Sequence, residues 1–253
     1  MKRRPYTHCH DDPLIVARQL RDWYAGDPGQ ALLDGLQQRL DAWVPELFGY
    51  HALQIGNPDP ARDLLAASRI RHRAIMDSLP GSGALVGRAE AVPVKSESLD
   101  LVLLPHGIEF SRQPHEILRE IERVLVAEGH LVLVTFNPLS IYGVLRLALG
   151  WRGRAPWCGH FYGSWRIRDW LSLLGFDTLR CQSFGFRMPL GDGHRLAFVE
   201  HFGERWTPYL GAVSLILARK RVATLTPLRP RWRPRRKILS AGSMQPTPRN
   251  THS

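Results

Sequence analysis

Cysteine is scarce in this chain: Cys9, Cys158 and Cys181 are the only three in 253 residues, too few and too scattered to indicate a disulfide framework or a zinc site. That scarcity fits a reducing compartment, so a cytoplasmic location is expected. Long apolar runs are missing too. The longest candidate, Leu139 to Trp151, is shorter than the ~18 residues of a membrane span and carries Arg146. Met1 to Asp12 is basic and polar and leads into no apolar stretch, so no secretory leader is expected. Within it His8, Cys9, His10, Asp11 and Asp12 are metal-competent, but a short unanchored cluster at a terminus is more often disordered, and no metal site is expected. The last absence is acid near the C-terminus. From Arg219 to Ser253 there are ten Lys or Arg and no Asp or Glu. The formal net charge of +11 therefore belongs to the tail, because positions 1 to 218 hold 24 basic against 23 acidic residues.

What is present is a chain long enough for one α/β domain with extensions. Its clearest unit runs from Leu99 to Pro138. Leu99 to Leu104 is a short apolar run closed by Pro105, as in a strand buried on both faces. A loop of His106, Gly107, Ile108 and Glu109 follows, and Gln113-Pro114 opens a helix. Ile117, Leu118, Ile121, Val124 and Leu125 give that helix one apolar stripe, and Gly129 is its expected end. His130 to Phe136 reads as a second buried strand, stopped by Asn137-Pro138. One βαβ unit implies a parallel sheet with a right-handed crossover.

Before this unit, Pro13 to Tyr24 places Leu14, Ile15, Ala17, Leu20 and Trp23 at helical intervals, and Gly29 to Leu47 does so with Leu32, Leu33, Leu36, Leu40, Trp43 and Leu47. These helices suit either a cover over the substrate side or plain packing on the sheet. His51 to Ile55 reads as a strand, followed by Gly56-Asn57-Pro58-Asp59-Pro60 and a helix through Ala67. Arg73 to Met76, ending at Asp77, reads as the next strand. Trp165 to Leu174 is an expected helix stopped by Gly175. Phe176 to Phe186 and Tyr209 to Ala218 are expected strands, separated by a loop-rich Pro189 to Trp206.

The pattern LDLVLLPHGIEF, then HEILREIERVLVAEGHLVLVTFNP, resembles the second half of the class I S-adenosylmethionine-dependent methyltransferase domain (type 11). The FNP continuation and the later WLSLLGF resemble a small bacterial branch of that family, the YafS-like proteins. The resemblance covers roughly Ala52 to Lys220. It implies an α/β three-layer sandwich of Rossmann-like type, with a seven-stranded, mostly parallel sheet and an antiparallel last strand pair. It also implies S-adenosyl-L-methionine as cofactor. Carried over residue by residue, the glycine-rich loop falls on Gln54, Gly56 and Asn57, where Gln54 replaces the family's acid and no further glycine follows Gly56. The ribose-binding acid falls on Asp77, or Asp77 simply caps a turn. The adenine loop falls on Arg88 and Ala89, where Arg88 replaces an acid and cannot accept a hydrogen bond. His106 falls beside the transferred methyl. It either orients a substrate and takes its proton, as catalytic base, or holds its loop in shape. Asn137 and Tyr142 are substrate-side candidates.

From Arg146 to Arg168 there are five arginines and no acid, interleaved with Trp151, Trp157, Phe161, Tyr162 and Trp165. Such an insert suits a lid for an aromatic or anionic acceptor, a membrane-surface contact, or core packing. The expected organisation is an N-terminal helical cover at 1–48, a methyltransferase-like domain at 49–222 with an insert at 138–163, and a basic disordered tail at 223–253. Within the tail, Arg229 to Lys237 could give weak nucleic-acid or anionic-membrane contact. The leading expectation is methyl transfer to a small-molecule or lipid-like acceptor. The alternatives are a catalytically degenerate binding or scaffold protein and a tail-assisted nucleic-acid methyltransferase.

Overall fold

The structure, a computed structural model, describes residues 12–185 and 210–221. Among them seven strands form one sheet: β1 (His51–Ile55), β2 (His72–Asp77), β3 (Leu85–Val86), β4 (Leu99–Pro105), β5 (Leu125–Phe136), β6 (Phe176–Phe184) and β7 (Val213–Lys220). Their order is β3-β2-β1-β4-β5-β7-β6. The first five are parallel, and β7 runs antiparallel to both β5 and β6. This is the mostly parallel α/β sheet with an antiparallel last pair that the resemblance implies.

Helices α1 (Pro13–Tyr24) and α2 (Asp27–Trp43) cover one face; α3 (Pro114–Val124) and α5 (Ser164–Leu173) cover the other. A strand alternates its side chains, so β4 sends Leu101 and Leu103 to one layer and Val102 and Leu104 to the other. The first layer packs them against Leu33, Leu36 and Leu40; the second packs them against Ile117, Leu118 and Ile121. Each such side chain, fully buried, contributes roughly 1.5–3 kcal/mol, which is why both strand faces must be apolar.

Three local expectations are corrected. The α3 helix stops at Val124 rather than Gly129. Leu125 is buried and pairs with Leu99, and the ladder then slips so that Val126–Gly129 stand opposite Asp100 alone. Another helical turn would have lifted Leu125 off the sheet for the sake of Ala127 and Glu128, which are exposed. No helix forms between Pro60 and Ala67. There Asp59 Oδ1 accepts from the Ala61 amide and Asp63 Oδ1 from the Leu65 amide, both at 3.0 Å, bonds that compete with helical ones. In α1 the buried row is Val16, Leu20 and Tyr24, spaced i, i+4, i+8, while Leu14 and Ile15 are exposed. The Asp12 side chain caps this helix at the Leu14 amide.

Cys181 is free and exposed. Among the described residues no helix is long and apolar enough to cross a membrane. The metal-competent residues 8–11, the loop 189–206 and the tail 223–253 lie outside the described residues.

After β5 the chain enters α4 (Ile141–Leu149), capped by Ser140 at the Gly143 amide. Gly143 is seated on the Pro138 carbonyl, where an added Cβ would lie 1.9 Å from the oxygen. Alanine is the better helix former by ~1 kcal/mol. The overlap with backbone outweighs that gain, since overpacking costs ~1–3 kcal/mol. Gly143→Ala is therefore expected to lower the unfolding free energy by about 1–2 kcal/mol in urea titration. A variant more stable than the parent would show that α4 slides freely over Pro138.

Candidate functional site

The strand order reverses between β1 and β4, and a doubly wound sheet binds ligands outside its carboxyl ends at that switch point. A cavity of about 1120 Å³ opens there. Its wall takes Gly56 and Asn57 from the end of β1, Asp77 and Ser78 from β2, Arg88 and Ala89 after β3, and His106 and Glu109 after β4. Val16, Ala17 and Leu20 of α1 close one side. Single small-ligand sites run to ~1,000 Å³ at most, so there is room for two reactants.

Gly56 has φ +92°, in the left-handed region that favours glycine, and its amide donates to Met76 O at 2.8 Å. Gln54 is fully buried but absent from the wall; its Nε2 donates to Gly56 O at 2.9 Å and holds the turn from beneath. Asn57 donates through Nδ2 to Ser82 O, while its buried Oδ1 has no hydrogen-bond partner among the described residues.

Asp77 is buried, with Oδ1 accepting from the Leu79 amide at 3.3 Å. Oδ2 accepts from Arg21 Nη2, and Arg21 Nε donates to Asn57 O at 2.9 Å. One guanidinium thus ties α1 to two loops of the cavity. Arg88 pairs with Glu90 at 3.5 Å at the exposed margin.

His106 has φ +54°, a conformation that costs a non-glycine residue ~1–2 kcal/mol. Its surroundings hold it there. The amide donates to Val134 O, the ring stacks on Phe136 with centroids 4.1 Å apart, and both ring nitrogens are engaged. Nε2 lies 2.5 Å from the Tyr24 hydroxyl and Nδ1 lies 3.0 Å from Glu109 Oε1, which also accepts from the Phe136 amide at 2.8 Å. The hydrogen-bond pattern assigns a neutral Tyr24 donating to Nε2, with Nδ1–H donating to Glu109. The imidazole reaches the cavity as the middle of a buried Tyr24–His106–Glu109 chain, without a free nitrogen.

The Tyr24 hydroxyl is held well above its ordinary value, first by burial and then by the charge of Glu109. Burial also raises that of Tyr142. A raised tyrosine stays neutral in the fold while the unfolded chain ionises near pH 10. Its stabilising contribution is therefore complete below about pH 10 and is lost as the pH rises beyond that. Unfolding free energy is expected to fall above about pH 10, and more gently in Tyr24→Phe. An identical alkaline slope in that variant would remove Tyr24 from the account.

The two substrate-side candidates stand away from the wall. Asn137 Nδ2 donates to Gly211 O and its Oδ1 accepts from the Leu139 amide, tying the end of β5 to the start of β7 and to the turn before α4. Tyr142 is buried among Trp23, Phe136 and Trp157. The insert reaches the cavity instead through Arg146, Leu147, Trp151, Trp157, His160 and Tyr162. Burial lowers the His160 pKa, and the charges of Arg146 and Arg166 lower it further, so this end of the cavity is electropositive.

Sequence reasoning thus brings Gly56, Asn57, Asp77, Arg88, Ala89 and His106 to one cavity and misses Arg21 and Tyr24. Both sit on a helix read only for its apolar periodicity, and no motif marks them.

Comparison with known proteins agrees with this geometry. Residues 46–133 match the family described as methyltransferase domain. The uncharacterised protein YafS of Escherichia coli (strain K12) is 31% identical over 201 residues, 78% of this chain and 80% of that protein. A methyltransferase structure from Thermotoga maritima superposes with a TM-score of 0.60 at 19% identity, covering 82% of this chain and 98% of its own. A chain of the complex containing the Haloferax volcanii Trm112 methyltransferase activator gives 0.59 at 15% identity, covering 82% and 98%. At these identities the two structures show the fold alone.

Proposed function

Because this chain belongs to the class I S-adenosylmethionine-dependent methyltransferase family, in its YafS-like branch, we propose that it transfers a methyl group from S-adenosyl-L-methionine to a small-molecule or lipid-like acceptor. The observation that carries this reading is the cavity at the switch point, walled by the residues at the family's cofactor positions and continuous with the insert.

The residues present fit the cofactor. Gly56 lets the backbone turn with no side chain over the cavity floor, and the unpartnered Asn57 Oδ1 is an acceptor suited to an ammonium group. Asp77 is the acid for the ribose hydroxyls, once Arg21 gives up part of it. Ala89 offers backbone contact beside the adenine. When bound, the cofactor supplies an electrophilic sulfonium methyl, released to a nucleophile as the sulfonium becomes a neutral thioether.

Around it the protein positions and dries the reactants. The α1 residues Val16, Ala17 and Leu20 exclude water from one side. His106, with both nitrogens engaged, acts first as a positioning residue: it fixes the loop after β4 and its own ring beside the reacting centre. It takes an acceptor proton only if Tyr24 gives up Nε2.

Titration calorimetry with S-adenosylmethionine and with its demethylated product tests the reading. Saturable binding of both is expected. If neither binds the folded protein at about 1 mM, the binding or scaffold alternative replaces it.

A further inference from the structure

The α4 helix carries its apolar stripe on the side away from the core. Ile141, Val144 and Leu147 recur at helical spacing, Trp151 follows in the short 3-10 turn Gly150–Arg152, and all four are exposed, Leu147 to 81%. Leu139, just before the helix, extends the patch. The opposite side is already used, since Tyr142 is buried and Gly143 lies against Pro138. Isolated exposed apolar residues are ordinary, but a contiguous stripe marks a surface that meets something.

Two further observations say what it meets. From Gly129 to Arg168 the chain has no Asp or Glu, while it has Arg146, Arg152, Arg154, Arg166 and Arg168, the last four exposed. An apolar helix face followed in the chain by exposed Arg152 and Arg154, within a segment that has no acids, complements an anionic lipid surface. In addition, Leu147 and Trp151 belong at once to the exposed stripe and to the cavity wall. The stripe is the rim of the site.

We propose that α4 docks the protein on an anionic lipid bilayer, with Val144, Leu147 and Trp151 entering the interface, and that the methyl acceptor is a membrane amphiphile that enters the cavity past Leu147 and Trp151. The docking stands on the surface alone; the identity of the acceptor rests on the methyl-transfer reading above. The electropositive end of the cavity beside His160 suits an acceptor with an anionic group.

The test is co-sedimentation of the full chain with vesicles of phosphatidylethanolamine and phosphatidylglycerol, and separately of phosphatidylcholine, at low and high salt. Salt screens the tail's arginines far more than apolar insertion. The wild type is expected to bind the anionic vesicles and to keep part of that binding at high salt. Val144→Gln/Leu147→Gln, whose unfolding curve should match the parent because both sites are exposed, is expected to bind at least about tenfold more weakly. Equal binding by parent and variant would overturn the proposal and assign the contact to the tail. A wild type that ignores vesicles but self-associates, with the variant monomeric, would overturn it in favour of a second copy on α4. A wild type that binds S-adenosylmethionine but no vesicles refutes docking alone; a wild type that binds vesicles but no S-adenosylmethionine refutes methyl transfer alone.

Discussion

Glu109→Ala is expected to lower the unfolding free energy by about 3–5 kcal/mol, the largest effect of any single change around the cavity. Its carboxylate is buried, and Oε1 accepts from both the Phe136 amide and His106 Nδ1. Truncation leaves a buried backbone N–H and a ring N–H without acceptors, and it frees His106 to abandon a left-handed conformation held by its partners. Glu109→Gln keeps one acceptor oxygen and is expected to lose only about 1–2 kcal/mol. Tyr24→Phe, which removes one hydrogen bond at the other end of the chain, should fall in the same range. Urea unfolding of the three variants ranks them. An alanine variant within about 1 kcal/mol of the parent would mean that the Tyr24–His106–Glu109 chain holds nothing together.

Arg21→Met is the second large effect, and its two readouts have opposite signs. The guanidinium bonds Asp77 Oδ2 and Asn57 O, and the carboxylate is buried while the arginine is partly exposed. Removing it leaves a buried carboxylate with only the Leu79 amide, so stability should fall by about 2–3 kcal/mol, less than for a fully enclosed pair. Ribose hydroxyls are donors, and in the variant they meet an acid with no competing cation. The affinity for S-adenosylmethionine is therefore expected to rise by about tenfold, equivalent to ~1.4 kcal/mol. Calorimetry on parent and variant decides it. A tenfold loss instead would make Arg21 a cofactor ligand and would overturn the idea that it competes.

Much of this was open to sequence reasoning, for reasons that can be located. In β4 and β5 a parallel strand is covered on both faces, so it is written as an uninterrupted apolar run. In α3 the stripe of Ile117, Leu118, Ile121 and Val124 repeats with the helical period. Boundaries were less legible. Whether Leu125 ends a helix or starts a strand depends on its pairing with Leu99, a contact 26 positions away in the chain. The Asp59 and Asp63 turns replaced a helix because local side-chain bonds outcompeted the backbone ladder.

The sequence by itself determined the buried strands of this protein and the carboxyl ends of β1, β4 and β5, because period, proline and glycine act within a few residues. The family resemblance in turn pointed to Gly56, Asn57, Asp77, Arg88, Ala89 and His106, which share one edge of the sheet. The tertiary structure decided what those residues face. It set Arg21 on Asp77 and Tyr24 on His106, drew Asn137 and Tyr142 away from the cavity, and turned the apolar side of α4 outward. Periodicity says that a helix has an apolar face. Which way that face points follows only from what the rest of the chain has already packed against the other side.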